Sequence, residues 1–233
     1  MLRAALAGAV LAMPAALPAQ ALRCEIPPRL SRPHHDGPTG NQQRRVVAIG
    51  GYTLAMSWAP QDCAVNGRGA DRRLQCGGDN RFGFTLHGLW PDGSGAQWPQ
   101  YCRPAALLPP AVIRRNLCAT PSVQLLQHEW AKHGTCMVRE PDAYFARATA
   151  LYQRVRYPDM RALAARPLTV GRFAAAFAAA NPGMGAAMLR VTTDRRGWLE
   201  EVWLCLDRQF RFTRCPAHQR GAPPATRLRI RPV

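Results

Sequence analysis

FGFTLHGLWP, residues 82–91, alternates apolar and polar side chains through its first six positions. Phe82, Phe84 and Leu86 share one side, and Thr85 and His87 share the other. That is the period of a half-buried β-strand. The pattern places His87 at the end of the strand, pointing away from the buried side, with Gly88 next. A side chain at the end of a rigid strand is well held for chemistry. Upstream, YTLAMSW (52–58) repeats the alternation with Tyr52, Leu54, Met56 and Trp58 on one face. Two strands therefore open the fold.

Downstream the period changes. Thr120-Pro121 is a helix start, with Thr as N-cap and Pro in the first turn. The helix is expected to run through SVQLLQHEWAKH and to stop at Gly134. A second amphipathic helix begins at Asp142, with Tyr144, Phe145, Ala148, Leu151, Tyr152 and Val155 at helical spacing. Thr169 caps a third, Ala-rich helix that ends at Asn181-Pro182. Three β-like runs follow at 187–193, 198–206 and 209–214, separated by turn signals at Asp194–Gly197 and Asp207-Arg208. Strands first, helices in the middle and strands last predict an α+β fold: a mainly antiparallel central sheet flanked by helices. No repeat interrupts this order. Residues 27–45 and 61–80 read as loops, with His34 and His35 in the first of them exposed to solvent. Residues 216–233 read as a loosely held basic, Pro-rich tail.

Residues 1–21 have the layout of an export signal. Arg3 supplies the charged start, 4–16 the apolar stretch and Ala19-Gln20-Ala21 the cleavage site. No later segment approaches the ~18 apolar residues of a transmembrane helix. The expected mature chain, 22–233, is one soluble, exported domain of the periplasm or the medium, with no membrane partner. All eight cysteines lie within it, and an even count in an exported chain implies disulfides. Cys205 and Cys215 flank a hairpin-like segment, and Cys63 and Cys76 flank a Gly- and Arg-rich loop, so each is a local pair. The formal charge is +17, and removing Arg3 leaves 30 basic against 14 acidic residues. A charge of that size favours polyanions, although an arginine-rich exported chain can be basic without such a partner.

The second informative block is HEWAKHGTC, residues 128–136. With 84–91 it gathers three of six histidines, one glutamate and the only lysine. Thirty of thirty-one basic positions are arginine, so Lys132 stands out. A compact ammonium and a planar guanidinium are not interchangeable at a tight site. At about 100° per residue, His128, Lys132, Glu129 and His133 fall on one arc, and Trp130 and Val123 fall on the inward side. The block is close to the zinc motif H-E-x-x-H, but its second histidine comes at i+5. On an α-helix that places the imidazoles about 140° apart rather than about 40°, which opposes convergence on one ion. No metal or cofactor is expected.

These groups suit RNA transesterification. The 2′-hydroxyl loses a proton as it attacks phosphorus, and the 5′-oxygen gains one as it leaves. Two histidines in complementary protonation states do both, and a fixed cation stabilises charge on the phosphate oxygens. DNA lacks the nucleophile and is not cut. A different class, a catalytically inactive basic protein binding RNA or another polyanion, has no need of two imidazoles opposed to a carboxylate.

FTLHGLWP and HEWAKHGTC resemble, at nearly every position, the two active-site segments of the ribonuclease T2 family, with His128 following His87 at a separation of 41. The likeness is greatest to its bacterial exported members. Weaker similarity extends through YTLAMSWAPQDC and SVQLLQ, and coverage is good from about residue 50 to 145. The resemblance implies endonucleolytic cleavage of single-stranded RNA through a 2′,3′-cyclic phosphate by a monomer. It gives His87 and His133 as the acid–base pair, His128 at phosphate, and Glu129 and Lys132 stabilising the transition state. In the family His133 is usually the base of the first step. Trp90, with Asp92 or Trp98, would form a base pocket, although Trp90 beside Pro91 also suits plain core packing. Cys102 and Cys136 would be a disulfide, leaving Cys24 and Cys118, whose pairing the sequence leaves open.

Overall fold

The computed structural model describes residues 21–233, and the expected export signal lies outside the described residues except for Ala21. Four antiparallel strands make the central sheet: β1 (Ile49–Trp58), β2 (Phe84–Gly93), β3 (Leu189–Thr193) and β4 (Leu199–Leu206). Their order is β2-β1-β4-β3. Leu54, Met56 and Trp58 of β1, Leu86 and Leu89 of β2, and Val202 and Leu204 of β4 point into the core. The helices α1 (Ala59–Asn66), α2 (Pro110–Asn116), α3 (Val123–Glu129), α4 (Pro141–Arg154) and α5 (Val170–Ala180) follow the strands they connect. Tyr144, Tyr152, Phe173 and Phe177, from α4 and α5, are almost wholly buried in the same core. Burying an aromatic side chain contributes about 1.5–3 kcal/mol each, so the helices are held mainly by this face. The expected α+β arrangement is the observed one.

Strand β2 lies at the edge of the sheet, and its outward backbone groups are covered rather than left to pair with another chain. Tyr152 Oη donates to Phe84 O at 2.7 Å. Leu86 N donates to Ala119 O, and Thr120 Oγ1 donates to Leu86 O, both at 2.8 Å. Tyr144 Oη donates to Leu89 O at 3.1 Å and accepts from Leu89 N at 3.3 Å. The covered positions step by two from 84 to 86 and then by three to 89. That jump marks a β-bulge: Gly88 stands opposite Ala55 and Leu86 opposite Met56, leaving His87 with no residue across from it.

Several expectations change. His87 does not end its strand, which continues to Gly93; it sits at the bulge, where an extra residue re-aims a side chain. Thr120 is bound to the strand edge, so Ser122 caps α3 by accepting from Leu125 N at 3.1 Å. The helix does not stop at Gly134. It passes into a π turn, Trp130–Gly134, and a last turn at Thr135–Met137. Residues 61–80 are largely helical, in α1, the short turn Ala70–Arg72 and Arg73–Cys76. Residues 209–214 form no strand; Phe212 makes one bridge to Leu206 after a turn with Phe210 at φ 61°. The tail is docked, because Leu228 and Ile230 supply buried side chains that its Pro/Arg composition masks. Arg227–Leu228 pairs with Leu168–Thr169, and Trp58 Nε1 donates to Arg231 O at 3.0 Å. Thr169 caps α5 as expected.

Disulfides join Cys24–Cys118, Cys63–Cys76, Cys102–Cys136 and Cys205–Cys215. The third ties the segment after β2 to the helix carrying His128 and His133. Among the described residues no helix is long and apolar enough to cross a membrane.

Candidate active site

The face of the sheet opposite the buried core carries the polar residues, with Gln61, Asp62 and Asn66 of α1 beside Ser57 and Glu201. Thr53, Ala55 and Ser57 of β1 are all small, and they lie between β2 and Glu201 and Trp203 of β4. Because β1 presents no bulk there, the His87 side chain reaches across it. Its Nδ1–H donates to Glu201 Oε1 at 2.6 Å, the tautomer following from a carboxylate that can only accept. Its other nitrogen, Nε2, stands 3.6 Å from Glu129 Oε1.

Glu129 arrives from the end of α3 and is 2% exposed. Trp90 Nε1 donates to its Oε2 at 2.9 Å, and Tyr144 Oη lies 3.5 Å from the same oxygen. Gly88 makes this approach possible: a Cβ there would stand 1.7 Å from Glu129 Oε2. Glu129 Oε1 and His133 Nδ1 are buried without a hydrogen-bond partner among the described residues. His133 is 5% exposed and stacks on Trp90, with centroids 5.6 Å apart and planes at 29°. Trp90 also stands edge-on to His87, with centroids 5.1 Å apart.

The π turn decides how His128 and His133 relate. An i→i+5 hydrogen-bond register widens the turn, so residues five apart come closer together than α-helical arithmetic allows. The two rings lie 6.4 Å apart. The angular objection to zinc therefore does not hold. Among the described residues, however, no group of three or more His, Cys, Asp and Glu is arranged to hold a metal ion. Tyr101, in the left-handed region at φ 50°, donates its N–H to Lys132 O at 2.8 Å, satisfying a carbonyl of the π turn. The Tyr101 hydroxyl donates to Asp36 Oδ1 at 2.9 Å, and Asp36 Oδ2 accepts from His128 Nδ1 at 2.9 Å.

Burial and charge push the two central histidines apart. Burial pulls the His87 pKa down, but the Glu201 hydrogen bond and the charges of Glu129 and Glu201 outweigh both burial and Arg72. His87 ends above its ordinary value. His133 lies well below its ordinary value, through burial and then the charges of Lys132, His128 and His87. Burial raises Glu129, against the charges of His87, His128 and Lys132 and the Trp90 hydrogen bond. Burial lowers the half-buried Lys132, against Glu129 and Asp36. One imidazole thus favours the charged form and the other the neutral form, the condition for an acid and a base at one pH.

Beside His133 opens a cavity of about 410 Å³ lined by Trp90, Asp92, Trp98, Trp203 and His218. Trp98 is 45% exposed with the Arg45 guanidinium 5.2 Å from its ring. Burial raises the Asp92 carboxyl, against a 2.7 Å hydrogen bond from Thr53 and the charge of His218. Trp90 is part-buried and lines this cavity. The structure therefore brings together His87, His128, Glu129, Lys132 and His133, with Trp90, Asp92 and Trp98 along one wall. His34 and His35 stay exposed outside it. Asp36 and Glu201 are the residues sequence reasoning missed. For Glu201 a signal existed: in LEEVWLCL, Val202, Leu204 and Leu206 alternate with Glu201, Trp203 and Cys205, which puts a carboxylate on a strand's polar face.

A four-stranded antiparallel sheet with helices, four disulfides and a cleft of histidines and carboxylates is the frame of a disulfide-bonded α+β protein. The Ribonuclease T2 family model matches residues 49–215, and the chain belongs to that family. A probable ribonuclease of Haemophilus influenzae is 29% identical over 177 residues, which span 70% of this chain and 60% of that protein. A ribonuclease of Aeromonas hydrophila is 35% identical over 164 residues, 68% of this chain and 72% of the other. In fold the chain is similar to RNase NT, solved in complex with 5′-AMP. That likeness has a TM-score of 0.62 at 22% identity and covers 80% of this chain and 100% of that one.

Proposed function

We propose that the chain, after loss of an export signal at 1–21, is a single-domain endoribonuclease (22–233) that cleaves single-stranded RNA without a metal ion. The observation that carries this reading is the packing of His87 and His133 against the same Trp90 ring, with the buried Glu129 Oε1 3.6 Å from His87 Nε2. In the first step neutral His133 takes the proton of the 2′-hydroxyl as its oxygen bonds to phosphorus. The bond from phosphorus to the 5′-oxygen breaks, and that oxygen takes a proton from charged His87. A 2′,3′-cyclic phosphate and a free 5′-hydroxyl result. His128, oriented by Asp36, contacts the phosphate, and Lys132 stabilises the charge that builds there, while Glu129 supports the transition state by favouring the charged form of His87. A base adjoining the scissile bond stacks on Trp90 in the cavity with Asp92 and Trp98, since aromatic faces accept any base. The family relatives named as ribonucleases, the cleft and the net charge support this reading.

The test is incubation of purified protein with RNA in excess EDTA, beside a DNA oligonucleotide of the same sequence. RNA is expected to be cut at an undiminished rate and DNA to stay intact. Activity abolished by EDTA and restored by zinc would overturn the metal-independent mechanism, and binding without cleavage would favour a pure polyanion binder.

A further inference from the structure

We propose that Glu201 is the positioning residue of the acid: locked by Ser57 and Trp203, its carboxylate grips His87 through Nδ1 so that Nε2 presents its proton to the departing 5′-oxygen. The inference rests on the reading of His87 as the acid. Ser57 Oγ donates to Glu201 Oε1 at 2.7 Å, and Trp203 Nε1 donates to Oε2 at 2.8 Å. Each carboxylate oxygen is thus pinned from within the sheet, and Oε1 also receives His87 Nδ1–H at 2.6 Å. Both anchors stand on strands adjacent in the sheet, Ser57 directly opposite Glu201. A carboxylate so held fixes the ring's rotation and keeps a hydrogen on Nδ1, which leaves Nε2 as the nitrogen facing Glu129 and the cleft. The general principle is that an orienting carboxylate sets tautomer and stabilises the imidazolium without itself becoming protonated. In the reacting step the Nε2–H bond breaks and the 5′-oxygen gains that proton. Nδ1–H stays in place, and Glu201 keeps its charge throughout, consistent with hydrogen bonds from His87, Ser57 and Trp203 that overcome burial and hold its carboxyl below the usual range.

The charged groups around His87 come from three elements. Glu201 from β4 and Glu129 from α3 favour its imidazolium, and Arg72, from the short turn Ala70–Arg72, opposes it. His133 lies beyond Trp90 and is held neutral. Removing Glu201 leaves only Glu129 on the favourable side. An acid must be protonated to act, so activity is lost as pH rises through the His87 pKa, and that limb should move to lower pH when Glu201 is gone.

The experiment compares Glu201→Gln with wild type in the mature protein by two readouts. The first is the pH profile of kcat and KM on a dinucleoside phosphate. The second is the titration of the His87 ring nitrogens by ¹⁵N NMR, which needs no turnover. Glutamine keeps the shape and can still accept from Trp203, and Glu200→Gln removes the neighbouring, exposed charge as a control. In Glu201→Gln the alkaline limb and the His87 midpoint should both move to lower pH. kcat near pH 8 should fall roughly tenfold or more with KM little changed, while Glu200→Gln moves neither. An active Glu201→Gln enzyme with wild-type His87 titration and limb, or a kcat lowered equally at every pH, overturns the proposal. Wild-type protein that leaves RNA intact overturns the acid–base reading itself, and the role of Glu201 with it.

Discussion

His133→Ala and His87→Ala are each expected to lower kcat/KM for RNA by about 10²–10⁴-fold, the usual contribution of one proton-transfer group. Neither should unfold the chain, because β1, β4 and the packed faces of α4 and α5 do not depend on them; circular dichroism checks this. The two groups act in one concerted step, so the double variant should lose little more than the worse single one. Wild type should follow a bell in pH. The base must be neutral, so the rate climbs as pH rises through the His133 pKa, which burial and nearby cations place well below its ordinary value. The acid must be charged, so the rate falls as pH rises through the His87 pKa, which lies above its ordinary value. His133→Ala should erase the acid limb and His87→Ala the alkaline one. Near-normal activity in either variant would remove the assignment.

Lys132→Ala is expected to lower kcat by about 10²–10³-fold with little change in KM, the size seen when one donor to a developing charge is removed. The ammonium is half-buried beside Glu129 and Asp36 and is not an exposed cation. Thirty arginines remain to attract RNA, so ground-state affinity should hardly change. An interaction made only in the transition state lowers kcat and kcat/KM together. Lys132→Arg should recover only part of the rate, since a planar fork cannot take the place of a compact ammonium. If Lys132→Ala instead raises KM and leaves kcat alone, the lysine is one more electrostatic contact with RNA. Steady-state kinetics on a dinucleoside phosphate separates the two.

The strands β1 and β2 and the helix α5 were legible because period-2 alternation and the Thr169 cap are local signals. The same locality explains what was missed. A bulge inserts one residue and changes no composition, so His87 read as a strand end. The π turn leaves no mark in WAKHG that an α-helical wheel detects, and it changed which imidazoles are neighbours. Asp36 and Glu201 lie 92 and 114 residues from the histidines they orient. Only the closed sheet and the docked loop bring them there. The tail's Leu228 and Ile230 were hidden by surrounding Pro and Arg, yet two apolar residues suffice to anchor a short strand.

The most direct test of the central claim is ³¹P NMR of a dinucleoside phosphate digested by the mature protein in EDTA. The predicted result is a 2′,3′-cyclic phosphate resonance that appears first and only later gives way to a monoester. A 5′-phosphate product, or a monoester formed from the outset with no cyclic species, would contradict attack by the 2′-hydroxyl and with it the roles assigned to His133 and His87.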